Sequence, residues 1–349
     1  VTVRRAHLVG SFPAATAAEA MRLTVDRLGP DLDYLPDGET GERQNWVISM
    51  IEGFRQHPDL RLAKEGDWSD YDKVPRFAIR RGHRLYGAAV DLGIGAAARS
   101  ARPEFDALRS GMTQAQGRPR LQIGIPGDID LAMFTFGPTG PVRHLRPFTE
   151  ALAITMHQAR DLLGDDALFQ IEVPAELVLL ARAPGQARPA VAGLLARRIT
   201  ALAQGAPQGA RFGVHLCLGD MNHRALGQLT DAGPVVLLAN ALAARWPDGR
   251  PLEYVHAPLA AADNPPADDA AFYQPLSGLR LGPETRFIAG FAHEDQDEAV
   301  QFRIRQFIED AVGDRVGIST SCGLGRRTPD AALAALDRIK LLLSDQPAG

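Results

Sequence analysis

Cysteine is scarce in this sequence: there are two among 349 residues. That count excludes a fold stapled by disulfides, and a chain this long buries enough apolar surface to do without them. Two thiols suit a reducing compartment, taken here as the cytoplasm, and point to metal binding or catalysis rather than a bridge. Surplus charge is missing too. A net charge of −4 gives no basic field, so no nucleic-acid partner is expected. No stretch reaches the ~20 consecutive apolar residues of a membrane span, so no membrane association is expected. The N-terminal segment lacks an apolar run followed by a small-residue cleavage site, so no secretion signal is expected either. Internal repeats, low-complexity tracts and a break in composition are also absent. Residues 1–349 are therefore expected to form one domain.

What is present is alternation. With 45% apolar and 23% charged residues, the chain reads as globular. Strands are expected at 6–13, 34–39, 121–126, 168–174, 213–217, 252–256, 287–293 and 316–321. Helical spacing falls between them, at 15–28, 42–54, 103–111, 147–163, 189–204, 295–312 and 329–343. The apolar stretch 235–246 suits either type, and its length and alanines favour a helix. Strands alternating with helices give an α/β fold with a parallel sheet. Eight such units favour a closed (β/α)₈ TIM barrel, with a doubly wound open sheet as the fallback. An insertion is expected near 55–80, where Trp68, Tyr71 and several acids occur without periodicity. Such a stretch is either a lid over the barrel mouth or a disordered loop.

Every expected strand ends in polar or reactive residues, which is where a barrel of this kind carries its chemistry. His215 and Cys217 are two apart on one strand, so their side chains share a face. The other cysteine, Cys322, ends the last strand before a Gly-rich turn. Zinc takes Cys sulfur and His nitrogen, and a catalytic site keeps one position open. Two buried, inert cysteines are the competing interpretation. Asp128 can orient a substrate or cap a helix. Arg326 and Arg327 can bind an anionic group beside Cys322 or lie on the surface.

Several segments, in one common order, resemble the C-terminal catalytic barrel of cobalamin-independent methionine synthase, in the superfamily that includes uroporphyrinogen decarboxylase. Gly10-Ser11-Phe12-Pro13 resembles its I-G-S-F-P segment, and Asp37-Gly38-Glu39 its H-G-E segment. Gln170-Ile171-Glu172-Val173-Pro174-Ala175 is similar to Q-I-D-E-P-A, His215-Leu216-Cys217 to H-M-C, and Ser321-Cys322-Gly323-Leu324 to D-C-G-L. Ala292-His293 resembles D-I-H, and Asn222 falls on an asparagine shortly after the H-M-C match.

The resemblance implies a zinc-dependent methyltransferase of methionine biosynthesis. Its partners would be a small thiol acceptor, homocysteine-like, and a methyl donor. His215, Cys217 and Cys322 would hold Zn(2+). The fourth ligand is either His256, which is favoured by its place at the strand end, or Glu253, which needs a different register. Ser11, Glu39, Glu172 and Asn222 would contact substrate, with Asp128 added only for its place at a strand end, and His293 would protonate the leaving group. Glu172 replaces an aspartate of the family, and nothing here corresponds to the family's N-terminal barrel. Another zinc-thiolate alkyltransferase or lyase, a metal-free decarboxylase, and a barrel that only binds a small molecule remain as alternatives.

Overall fold

The structure is a computed structural model and describes residues 3–112 and 118–345. In chain order the elements are α1 (Ala17–Leu28), β1 (Tyr34–Pro36), α2 (Val47–Gly53), β2 (Leu60–Lys64), β3 (Arg76–Ile79), α3 (Ile94–Gly111) and β4 (Arg120–Pro126). Next come α4 (Asp128–Phe136), α5 (Gly140–Arg143), α6 (Leu145–Leu163), β5 (Ala167–Val173), α7 (Pro174–Arg182), α8 (Arg188–Gly205) and β6 (Arg211–Leu216). The chain closes with α9 (Gly233–Ala243), β7 (Leu252–Pro258), α10 (Ala270–Tyr273), β8 (Arg286–Gly290), α11 (Glu298–Val312), β9 (Gly317–Ser319) and α12 (Pro329–Leu343). Seven parallel strands form one curled sheet in the order β1-β4-β5-β6-β7-β8-β9, while β2 and β3 pair separately as an antiparallel hairpin. No helix among the described residues is long and apolar enough to cross a membrane.

The expected eighth strand at 6–13 is not a regular strand. Ala6 forms single parallel bridges to Leu32 and to Ile318, at the two edges of the sheet, and no ladder continues beyond it. The reason lies in the interior. Gln122 on β4 donates to the carbonyls of Leu8 and Val9 at 2.8 and 2.7 Å, and Gln170 on β5 donates to Val9 at 2.5 Å. Side-chain amides thus take the acceptors that a neighbouring strand would use. Tyr254 donates to the amide oxygens of both glutamines, at 3.1 and 2.9 Å, which ties β7 into the same network. His7 packs against the Tyr254 ring, and burial lowers its pKa to about 3, so it stays neutral.

The helices follow from their apolar spacing. α12 spans the expected 329–343: Thr328 caps it by accepting from Ala331 N–H, and Pro329 takes the first turn. α3 begins at Ile94 rather than 103. Its buried face of Ile94, Ala98, Ala101 and Phe105 continues through Pro103. Two short helices, α4 and α7, stand directly after β4 and β5, in stretches to which no element was assigned.

β7 carries a register shift against β6: Phe212 pairs with Leu252, and Gly213 with Tyr254. Glu253 is the skipped residue, so it escapes strict alternation. It lies at the end of the sheet where the strands begin. There it accepts from Tyr34 at 2.7 Å, Arg211 at 2.6 Å and Arg120 at 3.2 Å.

Gly213 exists because Tyr254 crosses it. A methyl group there would lie 2.0 Å from the ring. Overpacking of this kind costs about 1–3 kcal/mol. Gly213→Ala is expected to lower the unfolding free energy by that amount, read by circular dichroism as a lower urea midpoint at an unchanged m-value.

Candidate functional site

Strand register builds the base of the site. Glu172, His215 and His256 are direct partners across β5, β6 and β7, so three neighbouring strands deliver them at one level. All three are buried. Cys217 follows β6 by one residue, and Cys322 lies in the turn after β9. That turn is held against the N-terminal segment: Leu324 N–H donates to Ser11 O at 2.7 Å, and Gly325 N–H to Ser11 Oγ at 3.3 Å.

The two thiols are 3.6 Å apart and unlinked. Together with His215 they form a group whose ligand atoms all lie within 4.8 Å of one another. Zn–S bonds of ~2.3 Å at a tetrahedral angle would place two sulfurs about 3.8 Å apart, close to the separation present.

The histidine is prepared in the same sense. His256 Nε2 faces the carbonyl of Thr320 at 3.0 Å, and a carbonyl only accepts, so that nitrogen carries the proton. Burial, with His215 and His7 nearby, pushes the His256 pKa well down, so its ring is neutral and its Nδ1 is an acceptor. His215 Nδ1 sits 2.6 Å from it and must donate. His215 Nε2 is then a bare lone pair. It is buried and has no hydrogen-bond partner. An imidazole backed in this way is in the tautomer a metal requires. Three donors of this chemistry, beside an open cavity, fit zinc. His256 stands behind the group rather than in it, because both its ring nitrogens are engaged. Glu253, its rival, is at the far end of the sheet.

The two thiols are in hydrogen-bond contact with one another. The hydrogen bond from Cys217 holds the Cys322 pKa well below its ordinary value, with Arg326 helping, and Cys217 is pushed up in return. Arg326 lies 3.3 Å from Cys322 Sγ, is 3.0 Å from Asp220, and reaches Ser11 Oγ and Gln44 O.

Above this base lies a cavity of about 710 Å³, part of it continuous with solvent. Ser11, Glu39, Glu172, His215, Cys217 and Cys322 all line it. Glu39 and Glu172 approach one another over Gly124, where a methyl group would meet their oxygens at 2.6 and 2.9 Å. Burial raises both pKa values. Glu39 is pushed up to about 7, and Glu172 well above its ordinary value, with Glu39 as its second cause. Two desolvated carboxyls so close cannot both ionise without a cation.

The structure does not bring the other expected residues to this cavity. Asp128 opens α4, with Gly127 in the cap position, and pairs with Arg198 and Thr149. His293 is enclosed: its Nδ1 accepts from Asp295 N–H and its Nε2 faces Ala262 O at 3.3 Å. Arg327 is buried against Glu294. Asn222 donates to Trp68 O at 2.8 Å, outside the lining. The sequence reading missed Trp46, Phe134 and Asp220, all of which line the cavity. Its one available signal was the density of tryptophan and tyrosine between 46 and 71.

No family model matches the sequence, and no curated protein matches it. Among solved structures, the chain is similar in fold to a B12-independent methionine synthase from Shewanella sp. W3-18-1 in complex with selenomethionine, at 14% identity, 97% of each chain and a TM-score of 0.59. It is also similar to a methyltransferase from Methanosarcina mazei, at 13% identity over 97% of this chain and 94% of that one, with a TM-score of 0.56.

The carboxyl pair has a pH signature. Both pKa values are raised in the fold above an ordinary 4.5. Their contribution is therefore complete below that pH, and it is lost as pH rises through about 7 and beyond. Glu172→Gln is expected to raise the melting temperature of the ligand-free protein at pH 8, and the gain should vanish near pH 4 in thermal melts.

Proposed function

We propose that this protein is a zinc-dependent methyltransferase acting on the thiol of a small, amine-bearing, homocysteine-like acceptor. On this reading the chain is one (β/α)₈ barrel, the segment around Ala6 stands in for the eighth strand, and 55–80 is an insertion over its mouth. The observation that carries the function is the convergence in one cavity of a His-Cys-Cys group and two protonatable carboxyls. The fold shared with the two solved structures agrees with it.

His215, Cys217 and Cys322 would hold the metal. When bound, zinc would keep an incoming thiol as thiolate near neutral pH. The remaining work falls to the chain's own residues. Glu172 and Glu39 receive the acceptor's ammonium group, which supplies the positive charge that lets both carboxylates ionise. Ser11 and Arg326 brace the turn that carries Cys322. His256 fixes the His215 tautomer. Asn222 acts at one remove, through the backbone of Trp68. Unlinked thiols 3.6 Å apart suit a reducing compartment such as the cytoplasm.

Metal analysis of the purified protein is expected to give about one zinc per chain, the ratio of a single three-ligand site. Cys322→Ser should abolish tight zinc binding in chelator competition, and methyl transfer with it. Stoichiometric zinc in that variant would refute the ligand assignment. His256→Leu removes the acceptor behind His215 and is expected to weaken zinc binding roughly 10–100-fold while the fold survives.

A further inference from the structure

The outer wall of the cavity suggests which class of methyl donor it takes. Trp46, Trp68, Tyr71 and Phe134 form that wall above the carboxyls and thiols. Trp68 and Phe134 touch, with ring centroids 6.5 Å apart. Hydrogen bonds at the edges fix two of the rings. Trp68 Nε1 donates to Glu52 at 2.7 Å, while Tyr71 Oη accepts from Met221 N–H and donates to Arg224 O, each at 3.0 Å. Trp46, Trp68 and Phe134 pack partly against the apolar core, and together with Tyr71 all four side chains stay half-buried where they line the cavity.

Backbone strain concentrates at the same place. Trp46 has φ 52° with ψ −121°, and Trp68 and Glu39 have φ 56° and 42°. Bulky residues at positive φ persist only where the surroundings impose them, and such positions cluster at ligand sites. The Trp46 indole N–H is buried with no partner.

Among its described lining residues the cavity has no free Lys or Arg. Arg326 is its only Lys or Arg among the described lining residues, and that guanidinium is spent on Asp220, Cys322, Ser11 and Gln44. A phosphorylated or polycarboxylate donor finds no counter-charge. Aromatic faces above buried acids are instead the recognised surroundings of a methylated cation.

We propose that the methyl donor is an onium compound, a sulfonium or quaternary ammonium, whose charged methylated centre sits among Trp46, Trp68 and Tyr71. The inference rests on the methyltransferase reading and adds the donor to it. In the transfer, the acceptor thiolate's electron pair forms the new S–CH₃ bond. The bond from that carbon to the donor's sulfur or nitrogen breaks, and its pair stays on the departing atom. Charge cancels on both sides, and the leaving group is a neutral thioether or tertiary amine. No proton has to be delivered, which agrees with His293 lying outside the cavity.

The test separates donor binding from chemistry. Choline and dimethylsulfonioacetate are titrated into the zinc-loaded full chain by calorimetry, beside 3,3-dimethylbutan-1-ol, the neutral carbon isostere of choline. The onium probes are expected to bind at least about 10-fold tighter than the alcohol, a gap within reach of cation–π contacts. Trp46→Leu and Trp68→Leu should each narrow that gap about 3–30-fold. Dimethylsulfonioacetate with homocysteine should release methylthioacetate. Equal affinity for the alcohol overturns the proposal in the wild-type protein alone, whatever the variants do. Onium binding without transfer, or turnover with a methylated pterin instead, overturns it as well. Iodomethane, which needs no donor site, provides the control. If it methylates the bound thiol while onium probes fail, the donor inference falls and the thiol-acceptor reading stands; if it also fails, both fall.

Discussion

One hydrogen bond, from His215 Nδ1 to His256 Nδ1, decides what this cavity can do. An imidazole has a single proton to place, and the Thr320 carbonyl determines where both rings put theirs. The outcome is a lone pair aimed beside two thiols, with no hydrogen-bond partner among the described residues. An unsatisfied buried acceptor is costly, and an incoming cation relieves the cost. The arrangement depends in turn on strand register. A one-residue slip of β7 would turn His256 out of line with His215 and leave that ring free to take the other tautomer.

The alternation of strands and helices was legible because periodicity is a local signal. α12 could be placed end to end, since Thr328 and Pro329 mark its start within the sequence itself. The first strand could not be read correctly. The groups that take its carbonyls, Gln122 and Gln170, are more than a hundred residues away, and nothing local announces them. Pro103 looked like a helix start because proline favours that position, yet the apolar face runs back to Ile94. The shift that displaces Glu253 leaves no mark in the sequence either.

For the site, same-face spacing sufficed to pair His215 with Cys217. The scarcity of cysteine and its place at a strand end brought in Cys322, and the resemblance brought in the two glutamates. The aromatic wall was hidden, because Trp46 falls in a stretch that reads as plain helix and Trp68 in one that reads as nothing. The enclosure of His293 also follows from packing alone.

Function and stability pull against one another here. Glu172 is buried and Glu39 half-buried at the cavity base, with no cation of their own beyond partial help from Arg43 and Arg326. Asp130 on α4 and Glu176 on α7 repeat the situation, each with one oxygen that has no partner among the described residues. Sites that must accept a charged ligand keep such groups unpaired, and the rest of the core carries the cost. The large apolar core around the sheet supplies that reserve.

The segment between β2 and β3 is stitched to the loop that follows Cys217. Tyr71 bonds Met221 and Arg224, Asn222 bonds Trp68, and a methyl group on Gly219 would strike the Tyr71 hydroxyl. The hairpin and the β6 exit loop therefore behave as one mechanical part. Whatever lifts the hairpin to admit a molecule also tugs on the residues next to a sulfur donor, so admission and ligand geometry are geared together.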